Sequence, residues 1–360
     1  MSTTTRVTPA TTESTAPRPS WELHRFGLDV RVSIRSVVVC GVLVAAAVLA
    51  AMLALRIGDY PLTLAQVAGS LLGQEDGFAA TVVVEWRLPR AFGALIFGAA
   101  LGVSGAMFQS LTRNPLGSPD IIGFTTGSYT GALIVIIFAG GGFYAIATGS
   151  LVGGLLTAVA VYAFAYRRGV TSFRLIIVGI GMTAMLNAFN TYLLMRAERE
   201  VALAGATWGA GSVSGLAWSQ VAPVSALLLA AFALAALVSR PMRASELGDD
   251  AASALGVNVE RTRLAVVVVA VALTALVTAV AGPIAFVALA APQLARRLTG
   301  SAGVTLAASA AMGALLLSVS DLIAQNLLAN LPVGVVTVSV GGLYLVWLLV
   351  METRRRSVRR

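Results

Sequence analysis

The 360-residue chain contains no lysine; all 25 of its basic residues are arginine. A phosphate-binding P-loop needs its lysine, so this chain is not a standard P-loop ATPase. Histidine and cysteine occur once each, as His24 and Cys40. His24 lies in the N-terminal tail, which removes histidine-based acid–base and metal chemistry from the rest of the chain. Cys40 has no partner for an intrachain disulfide and reads as a small apolar residue inside the first hydrophobic run. Charge is scarce as well: 11% of residues are charged, against about 25% in ordinary soluble proteins.

Apolar residues make up 58% of the chain and the mean hydropathy is +0.87. The charges gather in short patches between long apolar runs, the pattern of an all-α, polytopic membrane protein. A net charge of +9 raises the thought of nucleic acid. The arginines stand at the ends of apolar runs, however, and that placement fits membrane orientation and lipid contact, with no nucleic-acid partner.

Residues 1–30, rich in Thr, Ser, Pro and Ala, are expected to be disordered. Residues 31–353 are expected to form the membrane domain, and 354–360 a basic tail. Val37 to Leu55 is read as a retained first helix, because a cleaved signal peptide would have a shorter positive region and a shorter apolar core. From Arg56 to Arg90 the chain is mixed, with an amphipathic helix expected near Leu64 to Leu72. Apolar runs follow at 91–112, 121–140, 147–166, 175–195 and 221–239, with a polar loop at 196–220. The run Leu264 to Ala295 is too long for one crossing at the helical rise and is broken by Gly282-Pro283, so it reads as a hairpin with a short second arm. Runs at 304–326 and 334–351 close the chain. This makes ten crossings with both termini inside. On that topology 20 arginines fall inside and five outside, a positive-inside pattern.

The richest stretch runs from Trp86 to Ser128. It opens on Arg87-Leu88-Pro89-Arg90 and carries Gly98 and Gly102 one helical turn apart, the spacing that lets helix backbones touch in lipid. It closes on Arg113-Asn114-Pro115-Leu116-Gly117, where proline forbids simple helix continuation. Further on, Ser245 is a plausible N-cap, with Glu246, Asp249 and Asp250 in the first turns. Leu247, Ala251, Ala254 and Leu255 form a stripe and Gly256 the stop of a short amphipathic helix, which by pattern alone could lie on the bilayer surface or meet a partner. Among polar residues inside apolar runs, Gln109, Asn187, Asn190 and Gln293 read as bonds to neighbouring helices. Asp321 is the one clear charge inside a span and is expected to bond backbone or face water. It stands alone, which makes a poor proton relay.

The motifs EWRLPR, GAALGVSGA, FQSLTRNPLGSPD and GDDAASALGVNVERTRL resemble, in order, those of permease subunits of bacterial ABC importers for iron–siderophore complexes, haem and vitamin B12. The resemblance runs from about Arg31 to the C-terminus. It implies the type II importer permease fold in the cytoplasmic membrane of a bacterium, and no enzymatic activity. It also implies no cofactor on this chain, ATP and Mg being handled by a separate ATPase subunit. The implied cargo is a ferric siderophore of the catecholate, enterobactin-like kind, with haem or vitamin B12 as the alternative. The implied partners are that ATPase, a periplasmic or lipid-anchored binding protein and a sister permease in a heterodimer.

The resemblance also assigns roles. Arg87 and Arg90 would dock acidic residues of the binding protein, a reading favoured over the anchoring to lipid phosphates that their position also allows. Asn114, Pro115, Leu116, Thr171 and Ser172 would narrow the cytoplasmic mouth. Gly248, Asp249, Asp250, Ala252, Leu255 and Gly256 would sit in a groove of the ATPase. Two positions depart from the pattern: Gln325 stands where relatives often carry a further docking arginine, and Gln293 where they commonly have histidine. A proton-coupled transporter would need a chain of titratable membrane residues, and a membrane enzyme a clustered acid, base or metal set; the sequence offers neither.

Overall fold

Leu88–Thr112 is the helix around which the others assemble, as a computed structural model of the chain shows. The structure describes residues 20–25, 28–120, 122–166, 172–327 and 331–358. In chain order, strands β1 (Ser20–Arg25) and β2 (Leu28–Ser33) pair antiparallel, in part of the segment for which composition predicted no regular structure. Helices α1 (Ile34–Arg56), α2 (Leu64–Leu71) and α3 (Phe78–Thr81) follow. A π-helical turn, Val82–Arg87, leads without a break into α4 (Leu88–Thr112). Then come α5 (Phe124–Phe138), α6 (Phe143–Ala165), α7 (Ser172–Arg196), α8 (Arg199–Gly209) and α9 (Trp218–Glu246). The series ends with α10 (Asp249–Ala254), α11 (Val259–Ala281), α12 (Val287–Thr299), α13 (Leu306–Asn326) and α14 (Val333–Val358).

Seven helical segments among the described residues are long and apolar enough to cross a membrane: α1, Phe78–Thr112, α6, Phe173–Arg196, α9, α11 and α13. Two shorter apolar helices, Phe124–Phe138 and Val333–Tyr344, join them. The long run after Leu264 breaks at Gly282, whose φ of +69° suits glycine, and α12 begins five residues later. Amphipathic α2 lies where its pattern placed it, capped reciprocally by Thr63 and Gln66.

α4 is buried along nearly its whole length against α13, α11, α12 and α9. Its contact with α13 is backbone on backbone: a Cβ at Gly98 would run into the Gly313 carbonyl, and one at Gly102 into that of Ser309. In lipid, where apolar burial gives no advantage over the hydrocarbon itself, such close approach supplies the dispersion that holds helices together. Ser104 adds a buried polar tie, its Oγ lying 2.7 Å from the Ala270 carbonyl of α11 and 2.7 Å from Thr274 Oγ1.

Two sequence expectations need correction. The 196–220 segment is not all loop, since α8 occupies Arg199–Gly209. It is held by Tyr129, which stacks on Trp208 and donates to the Gly205 carbonyl. Ser245 is not an N-cap either. It lies in the last turn of α9, its Oγ donating to the Pro241 carbonyl, and Gly248 at φ +115° makes the break before α10. Only glycine takes that backbone without strain, so the short helix starts at Asp249.

Candidate functional site

At one end of the bundle, the π-helical turn brings Arg87 inward. Its side chain is 9% exposed and donates to the carbonyls of Leu55, Arg56 and Tyr60, fastening the loop after α1 to the start of α4. Pro89 sits in the first turn of α4, where a missing N–H costs nothing. One turn along, Arg90 makes a two-pronged bond to Asp321 of α13, with Nη2 to Oδ1 at 2.8 Å and Nε to Oδ2 at 3.0 Å. The Asp321 side chain is 2% exposed. The expectation that Asp321 would bond backbone or face water is therefore corrected: its partner is an arginine, and the span carries a neutralised pair. Both arginines, with Asp59, Glu85, Trp86 and Gln325, line a cavity of about 350 Å³ on this end. The guanidinium groups of Arg87 and Arg90 are thus committed within the chain, whatever else they meet.

At the opposite end, α4 stops at Arg113, held in the left-handed region at φ 49°. The next residue, Asn114, accepts from the Leu116 amide through Oδ1, at 3.0 Å, so the Asn114-Pro115-Leu116 corner closes on its own side chain. Leu116 is 47% exposed. Of the other two residues assigned to the mouth, Ser172 begins α7 and Thr171 lies outside the described residues.

Arg113 leaves this corner for the loop between α9 and α11. Its Nη2 donates to the Ser245 carbonyl and to Asp249 Oδ1, and Arg263 bonds the same carboxylate. Partial burial alone would raise the Asp249 pKa; the two guanidinium groups outweigh it and hold the carboxyl below the ordinary aspartate value. Within α10 the residues divide. Asp250, Leu255 and Leu247 are exposed, while Gly248 and Gly256 take positive φ at its two ends. Ala252 is 0% exposed. Ala252 therefore packs inside the chain, and the large apolar side chains a partner can touch here are Leu247 and Leu255, at 71% and 66% exposure.

Between the ends, buried Gln109 and Gln293 bond each other, and Gln109 Nε2 donates to the Leu289 carbonyl at 3.0 Å. Beside them a cavity of about 490 Å³ is lined by Ser118, Asp120, Thr183, Asn187, Phe286 and Leu289, among others. Phe286, at φ +69°, is one of two non-glycine residues with positive φ among those described; the other is Arg113. Such backbone persists only where its surroundings hold it, and it tends to cluster at working sites. In the sequence this cavity was marked only by Asn187, a polar residue inside an apolar run, and by the Gly282-Pro283 break beside it.

A bundle of long apolar helices, with buried arginine contacts at one end and an ion-paired loop at the other, is the architecture of a polytopic membrane protein. The chain belongs to the FecCD transport family, whose model matches residues 27–351. It is 51% identical over 327 residues to the ferric enterobactin transport system permease protein FepG of Escherichia coli K12, covering 90% of this chain and 99% of that one. It is 32% identical to the achromobactin transport system permease protein CbrC of Dickeya dadantii, over 92% of this chain and 96% of the relative. The hemin transport system permease protein HmuU of Yersinia pestis shares 32% over 75% and 84%. Among solved structures, an inward-facing metal-chelate type ABC transporter matches with a TM-score of 0.74 at 27% identity, over 87% of this chain and 99% of that chain.

Proposed function

We propose that the chain is a permease subunit of a type II ABC importer that carries a ferric, enterobactin-like siderophore across the cytoplasmic membrane. The observation that carries this reading is the 51% identity to FepG, which spans nearly the whole of both proteins. The chain crosses the membrane ten times with both termini in the cytoplasm. The seven long segments, α5, the apolar part of α14 and the short arm α12 make up that number. The Arg87–Arg90 end then faces a soluble binding protein, and the Arg113–Asp249 end faces the ATPase.

On this reading the two ends do different work. Outside, the Arg90–Asp321 pair and the Arg87 clamp build a rigid floor for docking. Inside, Leu247 and Leu255 enter a groove of the ATPase. Arg113 passes the movement of that loop to the Asn114-Pro115-Leu116 corner. A sister permease supplies the other half of the pathway, and alternating access follows from ATP-driven closure of the ATPase pair.

Uptake of radiolabelled iron in a strain lacking its own ferric siderophore permease tests the assignment. Expressed with its sister, ATPase and binding protein, the chain should restore uptake of iron bound to a catecholate siderophore. Uptake of haem or vitamin B12 without ferric siderophore would overturn the cargo and leave the importer class intact.

A further inference from the structure

A further cavity, larger than the two described above, lies away from both sites. It has a volume of about 1160 Å³ and opens between α1, α9 and α13, bounded by Val37, Cys40, Phe232 and Ala310 on its apolar side. That exceeds the roughly 300–1,000 Å³ usual for small-molecule pockets. Its other side is of opposite character. Arg35 and Arg243 stand there, with the hydroxyls of Ser239, Ser301 and Thr305. Neither arginine is in an ion pair among the described residues. Arg35 uses Nε to bond the Leu298 carbonyl at 2.8 Å, which leaves the rest of its guanidinium open to the cavity.

Two further features point to an anion at the polar side. The N-terminus of α13 opens there without a side-chain cap, and a helix N-terminus favours negative charge. Thr305 Oγ1 is shielded from solvent with no hydrogen-bond partner, an orphan that a buried ligand oxygen would satisfy. Charge, hydroxyls and a helix end therefore surround one side of a cavity whose other side is hydrocarbon.

We propose that this cavity holds one anionic phospholipid of the cytoplasmic leaflet. Its phosphate is bound by Arg35, Arg243 and the α13 N-terminus, and an acyl chain lies along the Val37–Cys40 face of α1. The side of the membrane rests on the orientation proposed above; the binding chemistry does not. Basic pockets between helices at the cytoplasmic surface are known to favour anionic headgroups.

Cys40 supplies the readout, because the only thiol in the chain lines the cavity. The full-length chain in detergent is titrated with phosphatidylglycerol, phosphatidylcholine or inorganic phosphate. The rate of maleimide labelling of Cys40 and the mass of retained lipid are recorded; detergent removes sidedness from both. Phosphatidylglycerol should slow labelling several-fold and be retained, and phosphatidylcholine should do neither. In Arg35→Gln/Arg243→Gln, phosphatidylglycerol affinity should fall about 30-fold, the weight of two arginines near a membrane surface. Because Arg35 also holds the Leu298 carbonyl, Arg243→Gln alone is the second variant, expected to lose about fivefold. Arg261→Gln removes an exposed charge outside the cavity and should change nothing. Equal protection by phosphatidylcholine overturns the proposal, as does full competition by inorganic phosphate. Unchanged phosphatidylglycerol affinity in a well-folded Arg243→Gln would do the same. None of these outcomes bears on iron uptake, so they leave the permease reading where it stands.

Discussion

Arg113, the residue that ends α4, donates to Asp249, the residue that begins α10, so the corner at Asn114-Pro115-Leu116 and the loop beyond α9 share one guanidinium. Arg263 bonds the same carboxylate from α11. Asp249 is about half exposed, so the contact adds little to stability, on the order of 0–1 kcal/mol. Its value lies in register. We expect Asp249→Asn to lower siderophore uptake several-fold while membrane insertion and thermal stability change little. Wild-type uptake in that variant would show that this ion pair does not couple the loop to the corner.

The Arg90–Asp321 pair behaves differently because it is largely out of water. Asp321→Asn leaves an arginine without its counter-charge, a loss of about 3–5 kcal/mol for a buried pair broken on one side. Arg90→Gln with Asp321→Asn should recover part of that loss. Thermal unfolding of both singles and the double in detergent gives the coupling. Additive effects would show that the two side chains do not act as a pair.

The glycine seam predicts a sharp contrast. Gly102→Ala places a methyl against the Ser309 carbonyl, so α4 and α13 must move apart, at about 1–3 kcal/mol or more for an overpacked site. Gly181→Ala has nothing within 4 Å and should be neutral. The yield of monodisperse protein from the two variants decides it, and equal yields would contradict the packing described.

On the loop around α10, Leu255→Arg should weaken retention of the ATPase subunit at unchanged expression, because the side chain is exposed. Ala252→Arg should lower expression instead, because its position is filled by the chain itself. Co-purification from matched membranes separates the two. If Leu255→Arg holds the ATPase as well as the wild type does, this loop is not the contact.

A docking test at the other end needs the same care. Arg87→Gln strips hydrogen bonds from the Leu55, Arg56 and Tyr60 carbonyls and should lower the unfolding temperature by several degrees. Weaker binding-protein affinity in a fully stable Arg87→Gln would return this residue to a direct role.

The long spans were legible because lipid demands long uncharged runs, and Gly282-Pro283 marked its own break. α8 was not legible: its eleven residues carry two charges in the first two positions and an apolar run of only six, Val201 to Ala206, and its place depends on Tyr129 of α5. The pairing of Arg90 with Asp321 left two half-signals, a carboxylate inside one span and an arginine at the end of another. Only the α4–α13 contact joins them. Cavities formed by three helices, such as the one at Arg35, leave no mark in any single stretch.

The separation of Arg90 and Asp321 by 231 positions also has a consequence in time. At about 5–20 residues per second, roughly 10–50 s of synthesis pass between the two. Through that interval Arg90 has no counter-charge, and a hydrated position at the membrane surface costs less than a dry one. We therefore expect the start of α4 to stay at the surface until α13 arrives. A chain halted before residue 321 presents an unpaired arginine there, a mark by which membrane proteases could tell an unfinished product from a finished one.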